Sequence, residues 1–181
     1  MFADQTLTPR EAVRLCALGT IADGPMRYSE LAAAVRHFIG HISGPSLDLL
    51  APSIELLRFE GLVAPTAGQG MEDDAVIAVT QDGLGEFRRL MTVRMRPSSD
   101  LTKLVTALKF RFLHLIPAED QARQADLLLE SCENELARLL DLKQDERAYG
   151  ANFDNWLELE IAQAESRLTW IEAFCAGLGA G

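Results

Sequence analysis

Apolar residues recur at helical spacing along most of this chain, and the departures fall in one short window. Thr8-Pro9-Arg10-Glu11 has the form of a capping box with proline at the first helical position. It opens a predicted helix to about residue 22, whose apolar stripe is Val13, Cys16, Ala17, Thr20 and Ile21. Asp23-Gly24-Pro25 breaks it. Ser29 is the predicted N-cap of a second helix, from Glu30 to about Phe38, packing Leu31, Ala34, Val35 and Phe38. A turn over 40–45 leads to a third helix, 46–60, on which Leu50, Ile54 and Leu57 share a face and which Gly61 stops. Pro52 sits near its start, where a missing N–H does least harm.

The window that breaks the helical pattern spans 62–79. Leu62 to about Pro65 predicts an edge strand, because Pro65 cannot donate to a ladder. Residues 67–74 supply a Gly-rich, acidic tip, and Val76, Ile77 and Val79 a returning strand. Thr80 then caps a helix from Gln81 to about Arg96, and Pro97-Ser98-Ser99 marks a boundary. Helix, strand, Gly-rich turn, strand, helix is the order of a winged helix-turn-helix. The predicted fold is mainly α, with three helices and a two-stranded wing in residues 1–96 and an antiparallel helical domain in residues 97–181.

That second domain is helical throughout. Leu101, Val105, Leu108, Phe112 and Leu115 trace one helix ended by Pro117. Ala125, Leu129, Cys132, Leu136 and Leu139 trace a second, about 118–147. Leu157, Ile161, Ala164, Leu168, Ile171 and Cys175 trace a third, 153–176, with Asn152 and Gly177 as its predicted caps. The short turn around Gly150 makes the last two antiparallel. Both carry apolar residues beyond one seam, among them Leu127, Leu140, Trp156, Leu159, Trp170 and Phe174. Either a wider core against helix 101–116 or a second copy must cover them, and the reading adopted is a homodimer. Its interface residues are Leu129, Leu136, Trp156, Leu168, Trp170 and Phe174. The two tryptophans also suit the lining of a pocket there, although buried aromatic packing is their default.

Net charge is −10, against a generic nucleic-acid binder. The acidity is uneven: residues 1–96 carry −3, with every base an arginine, and residues 97–181 carry −7. No run is apolar enough for a membrane helix, and the N-terminus lacks the basic and apolar regions of a secretory signal. Cys16, Cys132 and Cys175 are odd in number and far apart, as expected of buried free thiols in a reducing, cytoplasmic protein.

The order of motifs resembles the PadR family of transcriptional regulators. The family's Gly-Pro and Tyr-containing entry to its second helix is matched by Gly24-Pro25 and Tyr28. Its Leu-x-Pro-x-Leu-x-x-Leu-x-x-x-Gly-Leu-Val recognition helix is matched by Leu50 through Val63, with Ile54 in a Leu position. Its Thr-x-x-Gly after the wing is Thr80 to Gly83. The long tail, including Phe112 to Pro117, is similar to the larger, AphA-like members. The resemblance covers nearly the whole chain. It implies a homodimeric regulator of transcription that binds double-stranded DNA, with modulation by a small-molecule effector left open.

Departures from the family pattern bear on that function. Ala51 stands where an aromatic residue is usual, Glu55-Leu56 where bases are frequent, and the wing tip ends Glu72-Asp73-Asp74 where wings are commonly basic. By periodicity the outward face of the third helix presents Asp48, Ala51, Pro52, Glu55 and Arg58. The DNA-contact candidates are Arg27, Tyr28 and Ser29 at the second helix's N-terminus, where backbone N–H groups favour an anion, with Arg36, Ser46 and Ser53. Arg88, Arg89, Arg94 and Arg96 form a basic cluster expected to pair with the acidic tail. The alternative function is a PadR-like dimer that has lost DNA binding and serves as a protein-interaction or effector-sensing module.

Catalytic chemistry is not expected. His37 and His41 have the i,i+4 spacing of two metal ligands, but Gly40 is expected to interrupt the helix and no third ligand lies nearby. His114 reads as a core or interface histidine. No nucleophile-elbow, phosphate-loop, dinucleotide or Cys-x-x-Cys motif occurs. The chain is read as a non-enzyme without metal or cofactor.

Overall fold

In a computed structural model the chain divides into two compact units, Met1–Pro97 and Ser98–Gly181. The structure describes residues 7–44, 50–66, 75–93, 101–147 and 149–178, with side chains from residue 55 in the third helix and from 103 in the fifth.

The first unit begins with helix α1 (Pro9–Ala22). Its capping box is present: the Glu11 N–H donates to Thr8 Oγ1, and the Thr8 N–H donates to a Glu11 carboxylate oxygen at 2.8 Å. Strand β1 (Met26–Arg27) follows and runs directly into α2 (Tyr28–Ser43). The Arg27 N–H donates to Glu30 Oε2 at 3.0 Å, so this helix starts before the Ser29 cap expected of it. It also runs straight through Gly40. A lone glycine costs a helix only ~1 kcal/mol, and the ladder ends at Gly44, whose φ of +78° few other residues adopt.

Helix α3 (Leu50–Phe59) ends in a Schellman motif. Gly61 takes φ +71°, its N–H reaches the Arg58 carbonyl at 3.1 Å, and the Leu62 N–H reaches the Leu57 carbonyl at 2.9 Å. Leu57 and Leu62 are both buried, which supplies the motif's apolar contact. Strands β2 (Val63–Pro65) and β3 (Val76–Val79) pair antiparallel, with Val63 opposite Val79 and Pro65 opposite Ile77. The sheet order is β1-β3-β2. Pro65 therefore lies on an edge strand, as expected, while β1 adds a third strand to the predicted two. The tip at 67–74, with its acidic run, lies outside the described residues.

Helix α4 (Gln81–Met91) is capped by Thr80, whose hydroxyl accepts from the Gly83 N–H at 3.0 Å and donates to the Gly61 carbonyl at 2.8 Å. One side chain thus ties the start of α4 to the end of α3. Val13, Ala17, Leu18 and Ile21 of α1 pack with Leu31, Val35 and Ile39 of α2, Leu57, Leu62, Val63, Ile77 and Leu90. Burying each such Leu or Ile is worth roughly 1.5–3 kcal/mol. The stretch 94–100, including Arg94, Arg96 and the predicted boundary, lies outside the described residues.

The second unit holds α5 (Leu101–Phe112), a 3-10 turn (Leu113–Leu115), α6 (Ala118–Lys143) and α7 (Ala151–Leu178). Ion pairs Arg167–Glu135 (3.0 Å) and Lys143–Glu158 (3.4 Å) cross between α6 and α7 in the order of an antiparallel hairpin. Ala125, Leu139, Leu142, Leu157, Ile161, Ala164 and Ile171 are buried in this unit. Helix α7 starts earlier than expected. The Gly150 carbonyl accepts from the Phe153 and Asp154 N–H groups, which places Asn152 inside the helix, and Gly177 is also helical rather than a cap. His114, expected in a core or interface, is exposed in the chain by itself.

Candidate nucleic-acid interface

Arg27, Tyr28 and Ser29 sit where β1 turns into α2, and the sheet holds them: Arg27 is the register partner of Val76 on β3. Arg27 and Ser29 are exposed, whereas Tyr28 is half-buried and packs against the core. Arg36 lies two turns beyond Ser29 on the same exposed side of α2, at the flank of the buried Leu31, Val35 and Ile39 stripe. These four residues share one helix and its entry. Ser46 lies outside the described residues; Ser53 is within α3, its side chain outside them.

Of the residues expected on the outward face of α3, Asp48 and the side chains of Ala51 and Pro52 lie outside the described ones, and Glu55 and Arg58 can be placed. Leu57 is fully buried, and Glu55 lies exposed on the far side. Arg58 is half-buried rather than outward. Its place is taken by Phe59, 90% exposed, next to Leu56 at 42%. Stepping 100° per residue from Leu57 puts Phe59 near the opposite pole and Arg58 at the flank, so the signal was in the sequence. The described outer surface of α3 is therefore one carboxylate and two apolar side chains.

Behind this face runs a chain of charges. Arg14 on α1 donates to Glu60 Oε1 at 2.8 Å and to Glu86 Oε1 at 3.3 Å. Arg89 holds Glu86 at 2.7 Å and reaches Glu11 at 3.4 Å. The Arg89 hydrogen bond keeps the Glu86 carboxyl below its ordinary range, and the Thr8 backbone hydrogen bond does the same for Glu11. Arg89, expected to pair with the acidic tail, pairs with Glu86 on its own helix and with Glu11 on α1. The network anchors the residue that follows α3 to α1 and α4.

His37 and His41 lie on one continuous helix, because Gly40 does not interrupt it. Their ring centroids are 4.2 Å apart, and His41 Nδ1 lies 2.7 Å from the His37 carbonyl oxygen. Among the described residues no group of three or more His, Cys, Asp or Glu could hold a metal ion. No described helix is long and apolar enough to cross a membrane.

Of the interface candidates in the second unit, Leu129 and Leu136 are half-buried on one side of α6, and Leu168 faces the inner stripe of α7 with Leu157 and Ala164. Trp156, Trp170 and Phe174 share another side of α7. Trp170 stacks on Phe174 at 5.6 Å, and both meet the edge of Phe110. The tryptophans are not buried in this chain: Trp156 is 41% and Trp170 57% exposed.

A family model described as "Putative AphA-like transcriptional regulator" matches residues 2–175. No curated protein matches the chain. Among solved structures, the PadR-like transcriptional regulator BC1756 from Bacillus cereus is 15% identical, with a TM-score of 0.72 over 93% of this chain and 98% of that one. Bacillus subtilis PadR in complex with operator DNA is 16% identical, with a TM-score of 0.64 over 92% of this chain and 99% of that one. The same protein in complex with p-coumaric acid gives 15% and 0.64, over 92% and 98%. Identities this low carry the fold alone.

Proposed function

Because the chain belongs to the AphA-like transcriptional regulators, we propose that it binds a specific double-stranded DNA site as a homodimer, open to modulation by a small molecule. In this reading residues 1–96 are the DNA-binding domain and residues 97–181 the dimerisation domain of a cytoplasmic protein that performs no catalysis. Helix α3 enters the major groove, as recognition helices of this motif do. Arg27, Tyr28, Ser29 and Arg36, with Ser46 and Ser53, meet phosphates beside it. Leu129, Leu136, Trp156, Leu168, Trp170 and Phe174 meet a second copy, whose two-fold axis sets the half-site spacing.

The observation that carries this reading is the family match across residues 2–175, joined to a fold shared with an operator-bound PadR. The exposure of Trp156 and Trp170 supports the second copy, since apolar surface gathered on one helix face calls for cover. The p-coumaric acid complex of the PadR neighbour supports a ligand. A mobility shift against a random-site DNA pool at low and moderate salt tests the proposal. Selected sequences with a steep salt dependence are expected. Absence of any retention at low salt refutes DNA binding.

A second reading rests on one specific observation. The described outer face of α3 carries Glu55, Leu56 and Phe59, and no base. A dimer that kept the scaffold and lost DNA would use that acidic and apolar face on a protein partner. In that case the DNA pool yields nothing, while Phe59→Ala abolishes capture of the partner.

A further inference from the structure

The flank of the α6–α7 hairpin holds a solvent-open cleft of about 600 Å³. Helix α6 gives it Glu130, Ser131, Asn134, Glu135 and Arg138, and α7 gives it Arg167. Ser131, Asn134 and Arg138 follow one another at i, i+3 and i+7, so their side chains line one strip of the helix. Arg138 Nε is buried from solvent and has no hydrogen-bond partner. Of the carboxylates lining the cleft, Glu135 is held by Arg167 at 3.0 Å. Glu130 stands eight residues away, roughly 12 Å along the helix axis, and lies exposed to solvent.

A buried donor without an acceptor is the unusual feature here, since such groups are nearly always paired. What is missing is an acceptor, and the neighbouring donors narrow its kind. A guanidinium offers its Nε and Nη hydrogens as a planar fork matched to two oxygens of one carboxylate or phosphate. The Asn134 amide and the Ser131 hydroxyl add donors one and two turns along the strip. We propose that this cleft binds the oxyanion head group, carboxylate or phosphate, of a small molecule, with Arg138 as its forked ligand and Arg167 held ready beside it by Glu135. The inference extends the ligand-modulated reading above, but the binding is measured without DNA, so either can fail while the other stands.

The test follows the Nε–Hε signals of the intact, arginine-labelled protein by NMR during titration with acetate, benzoate and inorganic phosphate at constant ionic strength. The Arg138 signal, identified by its loss in Arg138→Gln, is expected to shift and saturate with at least one probe. Saturation by acetate and benzoate assigns a carboxylate ligand, and saturation by phosphate alone a phosphorylated one. Calorimetry should give an affinity about tenfold weaker in Arg138→Gln, a smaller loss in Arg138→Lys, and no change in Arg123→Gln. Arg123 is exposed on α6 and pairs with Glu119 and Asp120 away from the cleft. Shifts that stay linear with all three probes, or equal affinities in the parent and Arg138→Gln, overturn the assignment.

Discussion

Gly83 lies so close to the backbone of Leu62 that a β-carbon on it would run into the Leu62 carbonyl oxygen and come within 2.8 Å of Val79 Cγ2. The same carbonyl accepts from the Thr80 N–H at 3.0 Å, so it cannot swing aside without losing a hydrogen bond. The Thr-x-x-Gly spacing is thus a packing requirement: threonine caps α4 and glycine lets α4 reach the end of α3.

Gly83→Ala is therefore expected to destabilise the protein by about 2 kcal/mol, because overpacking against fixed backbone outweighs the ~1 kcal/mol that alanine gains in a helix. Gly85, two residues on in the same helix, has open space where its Cβ would stand. Gly85→Ala should stabilise by up to ~1 kcal/mol. Urea unfolding followed by circular dichroism reads both. Equal effects would show that the close approach to Leu62 is not what the sequence protects.

The Arg14 bridge to Glu60 is a polar tie between α1 and the end of α3. Both partners are partly exposed, so a double-mutant cycle of Arg14→Ala and Glu60→Ala should give only about 0.5–1 kcal/mol of coupling. The pH dependence of the neighbouring Glu86 and Glu11 carboxylates is more telling. Hydrogen bonds to Arg89 and to Thr8 depress the Glu86 and Glu11 carboxyls in the folded state. Their contribution is complete above the unfolded carboxyl value near ~4.3 and is lost as pH falls through the folded values. Melting temperature should drop below about pH 4.3, and Glu86→Gln should flatten that drop.

The three cysteines, expected to be buried, are half-buried free thiols; Cys16 packs against the core of the first unit, and burial pushes its thiol up to about 11. Its thiolate at fixed pH is then roughly 100-fold scarcer than that of an ordinary thiol. Reaction with a disulfide reagent at mildly alkaline pH should be slow in the native protein and fast in urea. Cys132 and Cys175 are raised by the same cause, without a comparable enclosure. Fast native labelling of Cys16 alone would contradict its packing.

Local chemistry made much of this fold legible. The Thr8 box, the Gly61 stop, the Pro65 edge and the Thr80 cap each act within three or four residues, and each stands where expected. What escaped was set by distant partners. Strand β1 is two residues long and exists only through β3, about 50 residues on. Gly40 looked like a stop, but the ladder continued until Gly44 met a φ that suits glycine. The exposure of Trp156 and Trp170 could not be read from periodicity, which identifies an apolar face and not what covers it. Phe59 is legible on a helical wheel, at the pole opposite Leu57, whereas its charged neighbour Arg58 falls at the flank.

Trp170 offers the most direct check on the second copy. It is 57% exposed in a single chain while stacked on Phe174. Aromatic anchors at interfaces typically cost 2 kcal/mol or more when removed, so Trp170→Ser should raise the dimer dissociation constant by about thirtyfold. Sedimentation velocity across a dilution series measures it, with circular dichroism confirming that the helices persist. A parent protein that stays monomeric refutes the dimer itself, whereas an unmoved constant in Trp170→Ser refutes only this residue's part in it.

Charge at the proposed DNA face gives the last prediction. Arg27 is exposed at the entry to α2, and neutralising one phosphate releases about one counterion. Arg27→Ala should therefore weaken all DNA sequences alike and reduce the salt slope by ~1. Glu55 acts in the opposite sense: it is exposed on the far side of α3 from Leu57, and a carboxylate there repels phosphate. Glu55→Gln should strengthen general DNA binding severalfold at low salt and lose that advantage as salt screens the repulsion. Should Arg27→Ala leave the slope unchanged while Glu55→Gln steepens binding, α3 would still face DNA but the phosphate anchor would lie elsewhere. If neither variant alters binding, α3 is not the surface that meets DNA.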